Sequence, residues 1–437
     1  MKHKPHLLLF AASILLTFAC LSAPAATEPP IPTNIVATHP GTAAPAPATP
    51  GVDTTPTVPS NLPAGLKIVY SLNGNIWITS DSSSARQLTS DGDAGSVKLS
   101  DDGAVIVYQR GQALWAVNAD GSSPRQLVDV PAFATPFLPP NSELPLLNTF
   151  DFQPKSHVIY FTTQYPSDGS FGVPPRDLYR VDADSPTPKS LLSKGGGNFT
   201  FSPNGNLLSL AESDRINVIK SDGTGFITAL EFTTVNTNSD WPYIPQVVWM
   251  PDSTGFYTVI PASDIAANPS QKSRFLYVGA AGGVTAQLAE FTAVDVRVSK
   301  PLIAPNGSKV AYVVQNGTTL DVHVIDASTA DMTVASHPSA SLIGLWAWSP
   351  TSDRFAYWTT DPAIMQTAGL NLPPASLLDA LAPYSLTWVN TDTFLYFRDG
   401  ELRLGQIGNP VLTVIASGFP TSQEDTSYYD FTVNSLP

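Results

Sequence analysis

The sequence is short of cysteine and of charge. Cys20 is the single cysteine among 437 residues, which excludes an internal disulfide and any metal site built on cysteine ligands. Charged residues make up 13% of the chain, well below the usual quarter. The formal net charge is −14, and no basic stripe interrupts it. Nucleic acid is therefore not expected as a partner, because phosphate binding needs a basic surface.

The motifs of common enzyme classes are missing as well. The chain has no Gly-x-Ser-x-Gly elbow, no His-Glu-x-x-His pair and no phosphate-binding loop. One short acidic loop, Asp91-Gly92-Asp93, could contribute to a Ca²⁺ site or be a plain surface turn. We expect a protein that is not an enzyme and that has no cofactor and no metal site.

The N-terminus has the pattern of an export signal. A basic start is followed by an apolar run of about 13 residues, Leu7 to Ala19, and then by Cys20. The run is too short to span a bilayer and suits the core of a signal peptide. The arrangement resembles that of bacterial lipoproteins, in which the cysteine is lipidated, although Phe18 departs from their pattern. The resemblance implies a signal peptide over residues 1–20 and a lipid anchor on Cys20. The alternative is an ordinary signal peptide, cut near Ala23–Ala26, and a soluble secreted or periplasmic protein.

Residues 21–61 have the composition of a linker. Ten prolines lie between Pro24 and Pro59 among alanine and threonine, with no aromatic residue. Such a segment cannot bury enough apolar area to offset its ordering entropy. We expect a disordered spacer here and one folded domain over residues 62–437.

A turn recurs along the folded part. Its clearest copy is Pro305-Asn306-Gly307-Ser308 between two short apolar strands, the second of which ends in an aromatic residue. Proline presets the turn, Asp or Asn bonds nearby backbone, and glycine takes positive φ. Eight copies are centred on Pro63, Asp101, Pro154, Pro203, Pro251, Pro305, Pro350 and Asn390.

The spacing of these turns predicts the architecture. It averages about 47 residues, the length of a propeller blade. A second hairpin follows in most repeats, so each repeat supplies four antiparallel strands. The sequence thus predicts an all-β propeller of eight blades, with seven as the alternative because the seventh repeat is weak after Trp358.

The two ends of the domain complement each other. The first turn has no strand before it, because the linker precedes it, whereas Tyr428–Val433 reads as a strand with no repeat after it. We expect this C-terminal strand to complete the first blade and to close the ring.

These repeats resemble the TolB-like, PD-type repeats of bacterial periplasmic and secreted propellers, which are similar to WD repeats. The matching motifs are Ser202-Pro203-Asn204-Gly205, Val310-Ala311-Tyr312, Asn118-Ala119-Asp120-Gly121 and Arg86-Gln87-Leu88-Thr89. The resemblance covers residues 62–434. It implies the propeller fold and an extracytoplasmic location, and it says little about function, because such folds have many partners.

Strand order divides the connections between two faces. Connections between blades, and those between the second and third strands of a blade, share one face, which we call the long-loop face. The other two kinds of turn share the short-turn face. Five long segments fall on the long-loop face: Val130–Pro145, Thr233–Ile244, Gln164–Arg176, Pro261–Ser273 and Thr359–Pro374.

The long segments supply the candidate binding residues, since function concentrates in long loops on a rigid scaffold. Their aromatic side chains are Phe133, Phe137, Tyr165, Phe171, Trp241 and Tyr243. Such residues suit contact with a protein or peptide of the cell envelope, or they pack the loops over the channel. The alternative function is that of a propeller-type hydrolase or lyase acting on a glycan or peptide, with Ca²⁺ as an option.

Overall fold

The computed structural model describes residues 62–80, 83–137, 143–164, 177–193, 196–239, 241–264, 267–268, 270–296, 298–326, 331–378, 386–421 and 426–433. The expected signal peptide, Cys20 and the expected linker lie outside these residues, as do Tyr165 and Phe171.

In the described part of the chain, thirty-two strands form eight four-stranded antiparallel sheets. Blades 1 and 2 contain, in chain order, β1 (Leu66–Leu72), β2 (Asn75–Ser80), β3 (Ser83–Gln87), then β4 (Ala94–Leu99), β5 (Val105–Arg110), β6 (Ala113–Asn118) and β7 (Arg125–Asp129). Blades 3 and 4 contain β8 (Leu146–Phe152), β9 (Val158–Gln164), β10 (Leu178–Asp182), β11 (Lys189–Leu192), then β12 (Asn198–Phe201), β13 (Leu207–Ala211), β14 (Arg215–Lys220) and β15 (Ile227–Glu231).

The second half repeats the plan. Blades 5 and 6 contain β16 (Val247–Trp249), β17 (Gly255–Ile260), β18 (Ser273–Gly279), β19 (Val284–Phe291), then β20 (Leu302–Ile303), β21 (Lys309–Asn316), β22 (Thr319–Asp326) and β23 (Met332–Pro338). Blades 7 and 8 contain β24 (Ile343–Trp348), β25 (Phe355–Thr360), β26 (Ala363–Gly369), β27 (Leu372–Leu378), then β28 (Thr387–Trp388), β29 (Thr393–Arg398), β30 (Glu401–Gln406) and β31 (Asn409–Ser417).

The last strand, β32 (Tyr429–Val433), belongs to blade 1. It pairs antiparallel with β1, with Tyr429 opposite Tyr70 and Val433 opposite Leu66. The first strands of neighbouring blades contact one another, for example β4 with β8 and β32, so they form the inner wall of the ring. The prediction of eight blades closed by the C-terminal strand is confirmed.

Little helix interrupts the sheets. The described helices are short: α1 (Val130–Ala134), followed by a 3-10 helix at Thr135–Phe137, and a second 3-10 helix at Thr426–Tyr428. Across the described ranges, no helix combines the length and apolar character needed to cross a membrane.

Aromatic side chains fill the space between blades. In six blades a tyrosine lies at the third, fourth or fifth position of the second strand, and each is at most 1% exposed. They are Tyr70, Tyr108, Tyr160, Tyr312, Tyr357 and Tyr396. Each large buried ring removes apolar area that stabilises the fold by about 2–3 kcal/mol relative to exposure. The aromatic end of the repeat motif is thus a core position.

The recurring turns have the predicted chemistry. In blade 6 the Asn306 Oδ1 atom accepts hydrogen bonds from the Ser308 backbone N–H at 3.0 Å and its hydroxyl at 2.8 Å, and Gly307 has φ +69°. In the Pro-x-Ser copies a serine takes this left-handed conformation, with φ +62° at both Ser253 and Ser352. The Asp and Asn residues of these turns therefore organise backbone.

The expected insertion at Thr359–Pro374 is wrong. Most of that segment forms β26 and the start of β27. Pro373 and Pro374 are exposed on the outermost strand of blade 7, where a missing N–H costs little. The longer connection lies between β27 and β28, mostly outside the described residues.

Candidate functional site

The short-turn face is closed by hydrogen bonds between neighbouring blades. The Asn204 N–H donates to Ser253 Oγ at 3.2 Å, and the Asn306 N–H donates to Ser352 Oγ at 3.1 Å. Between blades 3 and 4, Gln153 Nε2 donates to the Gly205 carbonyl at 2.8 Å. A serine in place of the turn glycine thus supplies an acceptor for the preceding blade, and these turns hold the ring together.

His157 strengthens the same face between blades 2 and 3. Its Nδ1 lies 2.8 Å from Asp184 Oδ2, and its Nε2 lies 3.1 Å from Asp102 Oδ2. Burial acts to lower the pKa of His157, but hydrogen bonds and charges from Asp184 and Asp102 outweigh it and raise the pKa above its usual value. The contact is a cross-blade clamp at the turns.

Tryptophans join the inner strands. Trp249 Nε1 donates to the Thr200 carbonyl at 3.1 Å, and Trp388 Nε1 donates to the Ala347 carbonyl at 3.0 Å. Trp348 makes the equivalent bond to Leu302 at 2.9 Å. These three rings each reach back to the preceding blade and belong to the inter-blade core.

On the long-loop face, the connection between blades 2 and 3 presents one of the predicted aromatic residues to solvent. The Phe137 ring is 47% exposed and rests edge-on against Phe133, with 5.6 Å between centroids. Phe133 is partly buried and lies 5.4 Å from the ring of Tyr179. Phe133 therefore anchors the loop, and Phe137 is the ring available to a partner.

The connection between blades 4 and 5 carries Trp241 and Tyr243. Tyr243 is 2% exposed, so its ring packs the loop onto the propeller. The Lys300 ammonium lies 4.3 Å from the centroid of the Trp241 ring, a cation–π contact. Trp241 is partly buried, and its ring positions Lys300. The aromatic residues of the long segments, from which the candidates were predicted, did not indicate this lysine.

The acidic loop Asp91-Gly92-Asp93 is held by an arginine. Arg110 lies 2.7 Å from Asp93 through Nε and 3.1 Å from Asp91 through Nη1. Its guanidinium thus contacts both carboxylates that a cation would need. Across the residues that the structure describes, no three His, Cys, Asp or Glu side chains are grouped to hold a metal.

A cavity of about 500 Å³ lies at the long-loop end of the channel. Its wall combines the inner strands of blades 4 to 7 with the connections that carry Tyr243–Gln246 and Lys300. Lys300 is its one charged lining residue among those described. Packing around the ammonium lowers the pKa of Lys300, because burial disfavours the charged form.

The opposite side of the channel carries charge at one level. Asp430 in β32, Lys98 in β4 and Asp151 in β8 each lie on the inner strand of their blade, opposite Val69, Val107 and Tyr160 of the next strand. Asp430 Oδ2 accepts from the Leu99 N–H at 2.8 Å, and Lys98 Nζ lies 3.9 Å from Asp151 Oδ1. The three charges form an alternating row across blades 1 to 3.

Sequence reasoning missed Lys300, Gln246 and Asp430. Each lies at or near the start of an inner strand, and the repeat pattern assigned no function to that position. Strand alternation offered the only signal: polar residues next to inner-strand core residues face the channel.

Comparison with known proteins finds solved structures at low similarity. No protein-family model and no curated protein matches the sequence. Solved structures that it resembles include TolB from Acinetobacter baumannii, with 15% identity, TM-score 0.31, and coverage of 63% of this chain and 64% of that one. A putative TolB from Agrobacterium tumefaciens has 12% identity, TM-score 0.32, and coverage of 62% and 89%. A functionally unknown protein from Desulfotomaculum acetoxidans has 14% identity, TM-score 0.42, and coverage of 84% and 99%.

Proposed function

We propose that this protein is a binding scaffold that engages a protein or peptide partner through its long-loop face. The single observation that carries the proposal is the difference between the two faces. The short-turn face uses its turns to hold blades together, for example Asn306 with Ser352. The long-loop face has the longer connections and the cavity.

Exposed apolar residues support a protein partner. On the long-loop face Phe137, Leu144 and Leu342 are 47%, 56% and 52% exposed. Aromatic and aliphatic side chains on a polar surface are the usual anchors of protein interfaces. Pre-formed loops on a rigid ring also lose little entropy when they bind.

We further propose that the protein acts without catalysis. The alternative of a hydrolase or lyase would need free acids or bases converging on the long-loop face. Asp91 and Asp93 on that face are both bound by Arg110. His157 lies on the short-turn face, clamped between two carboxylates.

The location is part of the proposal. The apolar run Leu7–Ala19 followed by Cys20 supports export and a lipid anchor on that cysteine. The proline-rich stretch from Pro24 to Pro59 would then act as the spacer between membrane and propeller. The partner is accordingly expected in the cell envelope.

Photo-cross-linking at two matched positions tests the binding face. A photoreactive phenylalanine analogue is placed at position 137, on the long-loop face, or at position 226, in the turn between β14 and β15 on the short-turn face. Phe137 and Phe226 are similarly exposed, 47% and 43%. We expect a discrete cross-linked protein adduct from position 137 in cell-envelope extracts and none from position 226.

Competition completes the test. An excess of unmodified protein should remove the adduct, and an excess of the Phe137→Asp variant should not, because a carboxylate is costly to bury in an apolar interface. Adducts of equal yield at both positions, or none at position 137, would refute the proposed face.

A further inference from the structure

The cavity at the long-loop end of the channel differs in charge from the rest of the molecule. The chain has 36 acidic and 22 basic residues, yet the described lining of this cavity contains Lys300 and no carboxylate. Among the described residues, Lys300 forms no ion pair. Its close neighbour is the Trp241 ring, 4.3 Å from the ammonium, and among the described residues no hydrogen-bond acceptor engages the ammonium.

Three polar side chains join Lys300. Asn198 and Thr200 alternate along β12 and are both exposed to the cavity, and within the described residues neither side chain has a hydrogen-bond partner. Gln246 is fixed, because its Oε1 accepts from the Ile303 N–H at 2.9 Å. That bond assigns the amide orientation and leaves Nε2 as a donor at the cavity wall.

The remaining wall is apolar. Trp346 is partly buried, and its Nε1 already donates to the Leu386 carbonyl at 2.8 Å, so the ring offers only apolar surface. Leu302 and Val247 line the same space. A volume of about 500 Å³ falls in the range of small-molecule sites, which are mostly apolar with a few converging polar groups.

We propose that this cavity binds a carboxylate attached to an apolar body, as in a free aromatic or aliphatic acid or in the C-terminal residue of a peptide. The Lys300 ammonium and the Gln246 and Asn198 amides would hold the carboxylate, and Trp346 with the aliphatic wall would contact the body. Charge-assisted hydrogen bonds from a lysine held over an aromatic ring favour an anion. The inference deepens the proposed function by naming a ligand class, and it rests on binding at the long-loop face.

Calorimetric titration of the full-length chain tests this with defined probes. The probes are N-acetyl-phenylalanine, its neutral amide, and the tripeptide Ala-Ala-Phe with a free or an amidated C-terminus. We expect both free carboxylates to bind and both amides to bind at least about tenfold more weakly. Tighter binding of the free-terminus tripeptide than of the free acid identifies a peptide terminus as the ligand, and the reverse order identifies a small acid.

Two variants change the cavity without changing its packing. Lys300→Met removes the charge, and Gln246→Glu keeps the acceptor for Ile303 while replacing the donor by a second oxygen. We expect each to weaken carboxylate binding about tenfold or more. Lys300→Arg should retain most of it. The matched control is Lys272→Met, which removes a lysine from another pocket of the same face and should leave the affinity unchanged.

The outcomes separate this inference from the proposed function. Equal binding of acid and amide, full affinity in Lys300→Met, or no binding of any probe overturns the carboxylate site. If the adduct at position 137 persists in that case, the protein-binding face stands. If the probes bind and position 137 gives no adduct, the cavity stands and the protein-binding face falls.

Discussion

Asp430 links the C-terminal strand of blade 1 to blade 2, and its burial lowers the stability of the fold when its carboxyl group is ionised. Its carboxylate accepts from the Leu99 N–H at 2.8 Å, which links β32 of blade 1 to β4 of blade 2. Burial raises the pKa of Asp430 to about 6, and the nearby Lys98 charge only partly offsets it, while Asp151 adds to the rise. The ionised form is therefore disfavoured at the closure.

The Asp430→Asn variant should be more stable than the wild type at neutral pH. Because the folded-state pKa lies above the ordinary value of 3.8, folding takes up a proton between these values. The resulting stabilisation is present below pH 3.8 and is lost as pH rises through about 6. Asparagine keeps the acceptor for Leu99 and has no charge, so we expect a gain of about 3 kcal/mol at pH 7.5 that shrinks towards pH 4. Urea denaturation at several pH values measures it.

Asp151→Asn is the control for this comparison. The Asp151 side chain is 53% exposed, so its replacement should bring no comparable gain at neutral pH. If the free energies of unfolding of the wild type and of Asp430→Asn differ by the same amount at pH 4 and at pH 7.5, the raised pKa of Asp430 is not the cause of the difference.

Residue-level function was the least predictable from the sequence. Phe137 was predicted from loop length and residue type, and it is exposed as a binding residue must be. Tyr243 was selected by the same reasoning, but it packs inward, because sequence does not show which side of a loop rests on the core. The sequence did not identify Lys300 as a candidate binding residue, because its place in the cavity depends on Trp241 and on strands from four different blades.

Turns are the element on which the fold depends most visibly. Gly307 has φ +69°, and a Cβ built there would lie 2.0 Å from ring atoms of Tyr257 in the preceding blade. Two separate demands, left-handed backbone and close approach, meet at this glycine. Gly317, in the turn between β21 and β22, has φ +58° and nothing within 4 Å of a built Cβ.

Alanine at these two glycines should separate the two demands. Gly317→Ala should lower the free energy of unfolding by about 1–2 kcal/mol, because an L-residue is strained in the left-handed backbone conformation. Gly307→Ala should cost about 1–3 kcal/mol more, because the Tyr257 ring must shift. Chemical denaturation of both variants measures the difference. Equal costs would show that the ring moves freely and that the close approach is unimportant.

Elements were predictable wherever local chemistry repeats. Turn residues fixed the hairpins, and the aromatic ends of strands such as Tyr312 marked the core. The failure at Thr359–Pro374 has a physical cause: Pro373 and Pro374 lie on an outer strand, and an edge accepts prolines that an inner strand would not. From sequence alone, two adjacent prolines on an edge strand are not distinguishable from two adjacent prolines in a loop.

At the scale of the whole molecule, a period of about 47 residues was enough to predict the ring. The count of eight and the closure by Tyr429–Val433 followed from the first and last repeats. The two faces also followed, since strand order determines them. The charge of the cavity did not, because it depends on how inner-strand residues from separate repeats converge.

The proposed tether makes a prediction about the whole chain. Wild-type protein expressed in a bacterial host should fractionate with membranes, and Cys20→Ala should move it to the soluble fraction, because the cysteine is the proposed lipid attachment site. Ser22→Ala, which leaves Cys20 in place, is the control. Membrane retention of the Cys20→Ala protein would refute lipidation at this residue.

The inner strand of blade 1 is β32, which is separated from β1 by more than three hundred residues of chain. Synthesis runs from the N-terminus, so the first blade made is the last one finished. Until residues 429–433 have left the ribosome, Tyr70 and Leu66 lack the strand that pairs with them. The ring therefore cannot close until the last strand of the chain has been synthesised.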